Sequence, residues 1–192
     1  MPGLGLALTF DDGPDQHWTP LLLDRLASHG AHATFFVIAP RAASQSGLVA
    51  RMLEHGHKVG LHCDRHVRHF ERDRAWLEAD TTRALGRLRE MGVVPSLWRT
   101  PWGTTAPWTD AIAQRHGLRL VRWSVDTHDW RGDSAPEMFA ATREQLTPGA
   151  VVLAHDGLGP GARRDGIGET IAYLDLVAGH AGEHRLPLEA LA

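Results

Sequence analysis

Two adjacent carboxylates, Asp11 and Asp12, close the apolar run LGLALTF and stand directly before Gly13-Pro14. Neighbouring carboxylates repel, and burying either one is costly unless a cation or a hydrogen-bond donor compensates. A solvated turn would account for DDGP by itself, because Asp, Gly and Pro all favour turns. Further on, His62 and His66 are separated by Cys63, Asp64 and Arg65. On a helical turn, positions four apart share a face, so both imidazoles can reach one ion. Two histidines with one aspartate leave coordination positions open for water and substrate, and suit zinc or another first-row divalent ion. One carboxylate of the pair then ligates while its neighbour stays free as a base. The cation removes the penalty of placing the two side by side.

Arg99 in RTPWG is a natural partner for the free carboxylate, since a guanidinium fixes a carboxylate's orientation. His155 in LAHD is available as a proton donor. Asp126 or Asp129 in DTHDW could hold that imidazole, as a carboxylate orients the histidine of a hydrolase triad.

Such groups work only if the elements bring them together. Apolar stretches predict strands near 4–10, 32–38, 58–61, 93–98, 119–125 and 150–154. Amphipathic patterns predict helices near 18–29, 41–55, 70–91, 106–116, 135–146 and 167–181. Gly30, Gly56, Gly92 and Gly117 each stand where a helix should stop. Pro187 would confine a last strand in RLPLEALA to an edge or a bulge. Strand–helix alternation predicts one α/β domain over 1–192, a parallel sheet with helices outside it. The polar clusters DDGPD, HCDRH, RTPWG, DTHDW and AHDG follow five of the six expected strands, all but the second. All strand C-termini of a parallel fold lie at one face, where active sites are built.

The composition excludes several classes. A formal net charge of -3 gives no electrostatic case for nucleic acid or an anionic membrane. The single cysteine, Cys63, rules out an internal disulfide. No apolar run approaches a membrane span. MPGLGLALTF lacks the basic n-region of a leader, so the expected location is cytoplasmic, or secreted if the chain has been trimmed. No partner protein is indicated. Of thirteen histidines, His29, His55, His116 and His180 fall near helix ends, where each can face the helix dipole.

TFDDGP, the HxxxH at 62–66, RTPWG at 99–103, DTHDW at 126–130 and LAHD at 153–156 resemble the five ordered motifs of the polysaccharide deacetylase family, carbohydrate esterase family 4, with its NodB homology domain. HATFFV at 32–37 and GHKVGLH at 56–62 are similar to its connecting segments, so the resemblance spans almost the whole chain. It implies a distorted (β/α) barrel of about seven parallel strands with outer helices. It also implies a metal-dependent hydrolase that removes an N-acetyl group from an amino sugar, or from a smaller N-acetylated metabolite, and releases acetate. Zinc is the first expectation for the metal, with cobalt, nickel or manganese as alternatives, held by Asp12, His62 and His66. Asp11 would be the general base, oriented by Arg99, and His155 the general acid, paired with Asp129. Trp130 and Leu153 would line the acetyl pocket, and the backbone N–H of Trp102 would serve the oxyanion.

Three departures stand out. Cys63 replaces the family's usual Ser or Thr, so the loop between the histidines should be held differently. Leu61 stands where asparagine is frequent, and Trp102 where Tyr or Phe is more common. GLGPGA at 157–162 has the spacing of a dinucleotide fingerprint, but too little chain follows to complete such a unit, so a flexible loop beside the site is expected. Arg163 and Arg164 in that loop are expected to face solvent. Trp18, Trp102, Trp108 and Trp130 lie near motifs, whereas Trp98 and Trp123 fall inside strands and are expected in the core. Two other functions share this pattern: an allantoinase-like hydrolase of another C–N bond, and a non-catalytic glycan- or metal-binding module. The second would require a catalytic group to be missing.

Overall fold

Continuous apolar segments build the centre of the molecule. In the computed structural model, which describes residues 5–192, every residue of LALTFD and TFFVI is buried. A strand covered on both faces reads as such a run rather than as an alternation. The strands are β1 (Leu6–Asp11), β2 (Thr34–Ile38), β3 (Lys58–Cys63), β4 (Leu97–Trp98), β5 (Arg119–Leu120), β6 (Val125–Asp126), β7 (Val151–His155) and β8 (Leu188–Glu189). Leu4, part of the expected first strand, lies outside the described residues. The spatial order is β5-β4-β3-β2-β1-β7-β6, with β8 on β1. Every pairing is parallel. Seven strands thus form the curled parallel half-barrel that the motifs implied, with helices around it.

The helices are α1 (Trp18–Ser28), α2 (Ala39–Ser44), α3 (Ser46–Glu54), α4 (Arg74–Glu90), α5 (Thr109–Arg115), α6 (Ala135–Thr142) and α7 (Gly168–His184). The anticipated stop glycines all carry positive φ: 60° at Gly30, 78° at Gly56, 76° at Gly92 and 68° at Gly117. Among the described residues no helix is long and apolar enough to cross a membrane.

Several elements differ from the sequence reading. The helix expected over 41–55 is two, because α2 ends and α3 begins around Gln45. The one expected over 70–91 starts at Arg74, where the Asp73 side chain accepts from Trp76 N at 2.7 Å. That cap satisfies an otherwise orphaned N–H and sets the helix start. The strand over 93–98 shrinks to Leu97–Trp98. In RLPLEALA the strand is two residues long and follows Pro187, whose carbonyl accepts from Leu6 N at 2.8 Å.

The strand expected over 119–125 is the most informative departure. It is broken into β5 and β6, because the chain changes partner between them. Val121 N donates to Trp98 O at 2.8 Å on the β4 side, and Ser124 N to Val151 O at 3.0 Å on the β7 side. This short segment therefore crosses between the two ends of the sheet, and Trp123 lies at the crossing. It is half-buried and lines the main cleft, where the sequence reading expected a core tryptophan.

Candidate active site

Asp11 ends β1, and in regular extended backbone its neighbour would point to the opposite face. Asp12 instead has φ of 73°, which breaks the alternation. Both carboxylates therefore line one cleft of about 590 Å³. The turn is anchored at three points. Arg41 Nη1 donates to Asp12 O at 2.7 Å, Gly13 N donates to Asp156 Oδ1 at 3.2 Å, and Thr19 Oγ1 donates to Asp156 Oδ2 at 2.7 Å. Asp156 is fully buried, and burial pushes its carboxyl up to about 7. Gly159 passes so close over the Asp12 carboxylate that a Cβ there would have no room.

His62 and His66 do not share a helical turn. His62 belongs to β3, and the chain bends at Asp64 and Arg65 before His66. The bend meets the need left by Cys63. Asp80 Oδ2, on α4, accepts from Asp64 N at 3.2 Å and from Arg65 N at 3.4 Å. Arg83 and Arg87 in turn clamp the Asp64 carboxylate at 3.3 and 3.0 Å. Cys63 itself is buried and outside the converging ligand set, and burial pushes its thiol pKa well up, so it stays protonated. Asp80→Ala is expected to leave the buried Asp64 N–H and the neighbouring Arg65 N–H without their acceptor and to weaken retention of a divalent ion about tenfold. Chelator competition measures this, and unchanged retention would mean that the bend is held by something else.

Asp12 Oδ1 lies 3.3 Å from His62 Nε2 and 3.1 Å from His66 Nε2. Yet this buried oxygen has no hydrogen-bond partner. His62 Nδ1 is 2.7 Å from the Arg99 carbonyl, which can only accept, so Nδ1 carries a proton, and it is Nε2 that turns inward and, once it gives up its own proton, can offer a lone pair to an ion. One carboxylate oxygen and two imidazole nitrogens converging within 4.8 Å fit a divalent ion. Burial opposes ionisation of Asp12, but the facing imidazoles outweigh it and hold the carboxyl well below its usual range. His62 shows the reciprocal effect: burial lowers its pKa, and Asp12 and Asp11 raise it further than that.

Arg99, with no exposed surface, donates from Nη1 to Asp11 Oδ1 at 2.9 Å and to Thr9 Oγ1 at 2.7 Å. Its guanidinium lies 4.4 Å from the Phe36 ring centroid, so both its plane and its reach are fixed. Across the cleft, His155 Nδ1 donates to Asp129 Oδ1 at 2.7 Å. Of the two aspartates in DTHDW, Asp129 thus holds the imidazole. Asp126 Oδ1 accepts instead from His128 N at 2.9 Å. Burial would lower the His155 pKa, but Asp129, with Asp11 and Asp12 behind it, raises it to about 9. The Asp129 carboxyl is held down at about 2, chiefly by His155 and Arg164 against its burial.

Trp102, Trp123, Trp130 and Leu153 wall the cleft with apolar surface. Trp102 has φ of 53°, is 39% exposed, and packs edge-on at 4.2 Å against His66. Trp18 and Trp108 pack against the core instead. Trp98 is buried as expected, and its Nε1 donates to His62 O at 3.0 Å. All of the segment 157–162 except Leu158 lines the cleft, and α7 begins beyond it at Gly168, so it offers no helix N-terminus of the dinucleotide kind. His57 and His69 are structural: both are buried, and burial pushes each down to about 4. Arg164 does not face solvent. It is buried against Asp129, and nothing in its sequence neighbourhood distinguishes it from the exposed Arg163.

A sequence model described as Polysaccharide deacetylase matches residues 2–121. The chain belongs to the polysaccharide deacetylase family. A chitooligosaccharide deacetylase of Bradyrhizobium sp. (strain ANU 289) is 36% identical over 82% of this chain and 73% of its own length. The peptidoglycan-N-acetylglucosamine deacetylase PgdA of Listeria monocytogenes is also 36% identical, over 79% of this chain, which spans only 32% of that larger protein. Among solved structures, the Bc1960 peptidoglycan N-acetylglucosamine deacetylase superposes with a TM-score of 0.90 at 28% identity, over 99% of this chain and 87% of that one. The matched family segment carries Asp11, Asp12, His62, His66 and Arg99, whereas Asp129 and His155 lie beyond it.

Proposed function

We propose that this member of the polysaccharide deacetylase family removes the N-acetyl group from an amino sugar, releasing acetate and a free amine. One observation carries the reading. The converging Asp12, His62 and His66 lie in the same cleft as two proton-carrying groups, each locked by its own partner: Asp11 by Arg99 and His155 by Asp129. A module that only bound glycans would have no use for either locked pair. The relatives named chitooligosaccharide and peptidoglycan deacetylases support an N-acetylated carbohydrate as substrate.

Asp12 Oδ1, His62 Nε2 and His66 Nε2 would hold a divalent metal, zinc by the character of the donor set. Bound there, it supplies Lewis-acid chemistry to water and to the amide carbonyl. The rest falls to the chain's own groups. Asp11, aimed by Arg99, takes the proton of the attacking water. The backbone N–H of Trp102 donates to the developing oxyanion. His155, protonated and turned by Asp129, gives its proton to the departing nitrogen so that the C–N bond breaks to an amine. Indole faces of Trp102, Trp123 and Trp130 offer sugar rings an apolar wall, with Leu153 beside the acetyl group.

Acetate release is the test, with chitin oligosaccharides, peptidoglycan fragments and small N-acetyl metabolites as substrates. The metal-loaded chain is expected to release acetate from at least one acetamido sugar, and to stop after exhaustive chelation. Full activity in the chelated protein, or ammonia rather than acetate as product, would overturn the reading.

A further inference from the structure

The loop joining β7 to α7 is fastened at its near end by Arg41, which donates to the Leu158 carbonyl at 3.1 Å, and further along by its own Arg164. Only 7% of the Arg164 side chain reaches solvent. Its Nη1 donates to Asp129 Oδ2 at 3.0 Å and to Thr170 Oγ1 at 2.5 Å, and its Nη2 to the His155 carbonyl at 3.1 Å. Thr170 Oγ1 donates its own hydrogen bond to Asp129 Oδ2 at 2.9 Å, and His155 N donates to the same oxygen at 2.9 Å. Three donors therefore occupy Oδ2, and only Oδ1 is left for the imidazole at 2.7 Å. A carboxylate satisfied in this way cannot rotate without breaking several charge-assisted bonds.

We propose that Arg164 is a positioning residue for the deacetylation: by filling Asp129 Oδ2 and the His155 carbonyl, it holds Asp129 in the one orientation that aims Oδ1 at His155 Nδ1. The inference rests on the deacetylase reading above. It also has an electrostatic side. Before proton donation the buried group is Arg164⁺, Asp129⁻ and His155⁺. After His155 passes its proton to the leaving nitrogen, Asp129 and Arg164 remain as a balanced pair. Without Arg164, the same step would strand Asp129 as a lone buried anion, which is costly. Arg164 therefore stabilises the arrangement that follows proton transfer. Because Gly157 and residues 159–162 of the same loop line the cleft, with Gly157 and Gly159 against Asp12, the guanidinium also couples the cleft wall to the proton donor.

Arg164→Gln, Arg164→Ala and Arg164→Lys in the metal-loaded chain test this, alongside wild type. Arg164→Gln is expected to lose about 10–100-fold in kcat with KM and metal content close to wild type, the signature of a misaimed group rather than a lost binding contact. Added guanidinium is expected to restore part of kcat in Arg164→Ala. A second readout needs no substrate. The His155 Nδ1–H proton, assigned by its loss in His155→Gln, should give a downfield NMR signal that shifts or disappears in Arg164→Gln. If that variant does not fold, Arg164→Lys decides: lowered kcat at unchanged KM supports the role, and wild-type kcat overturns it. Wild-type kcat with an unmoved proton signal in Arg164→Gln would also overturn it. A wild-type chain that releases no acetate counts against the deacetylase reading alone, and the proton signal then still decides the placement of Arg164.

Discussion

Asp11→Asn is expected to lower kcat by about 10²–10⁴-fold while metal content stays at the wild-type level. The substitution removes the base and leaves Asp12, His62 and His66 untouched. Asparagine keeps an oxygen for Arg99 Nη1, which now bonds Asp11 Oδ1 at 2.9 Å, so the local packing survives. It does not keep the charge. Arg99 has no exposed surface, and breaking a buried ion pair costs on the order of 3–5 kcal/mol, so melting should shift downward and rates must be taken per folded chain. Asp12→Asn is expected to behave in the opposite order, losing metal first and activity with it. Elemental analysis separates the two. A metal-poor Asp11→Asn chain would exchange the roles of base and ligand.

The second large effect concerns pH. A general acid works only while it holds its proton, and His155 holds its proton up to about 9 because Asp129 outweighs the effect of burial. The alkaline limb of kcat should therefore lie above the unperturbed histidine value. Asp129→Asn takes away the charge that raises the imidazole, so the limb should move to lower pH, toward or below the unperturbed histidine value near 6.5, as the rate falls. His155→Ala should abolish the limb and leave metal content intact. The same raised pKa contributes to stability. That contribution is fully present below the unfolded pKa near 6.5 and is lost as pH rises through the folded value. Profiles of kcat against pH for wild type and Asp129→Asn on one amide substrate decide the matter. An unmoved limb would show that Asp129 does not tune the acid.

The sequence by itself determined the parts and their common address. Apolar runs such as LALTF and TFFVI are local signals of strands covered on both faces, and the glycines at 30, 56, 92 and 117 are local signals of helix ends. Those signals depend on near neighbours, so they survive without a structure. Placing DDGP, HCDRH, RTPWG, DTHDW and LAHD at the C-terminal ends of five of the six expected strands was enough to gather them at one face. Which group meets which depended on register and backbone direction, and those are long-range properties. Positive φ at Asp12 brought both carboxylates into one cleft, and the fold of the 126–130 turn chose Asp129 over Asp126 for His155. Asp80 reaches the histidine bend from a helix sixteen residues further along, and Arg164 reaches Asp129 across thirty-five. Trp123 left the core only because the chain changes strand partner on either side of it. A charged residue in a loop carries no local mark of whether it faces water or a buried carboxylate. Only the tertiary structure, by removing water from Arg164 and supplying Asp129, decided that.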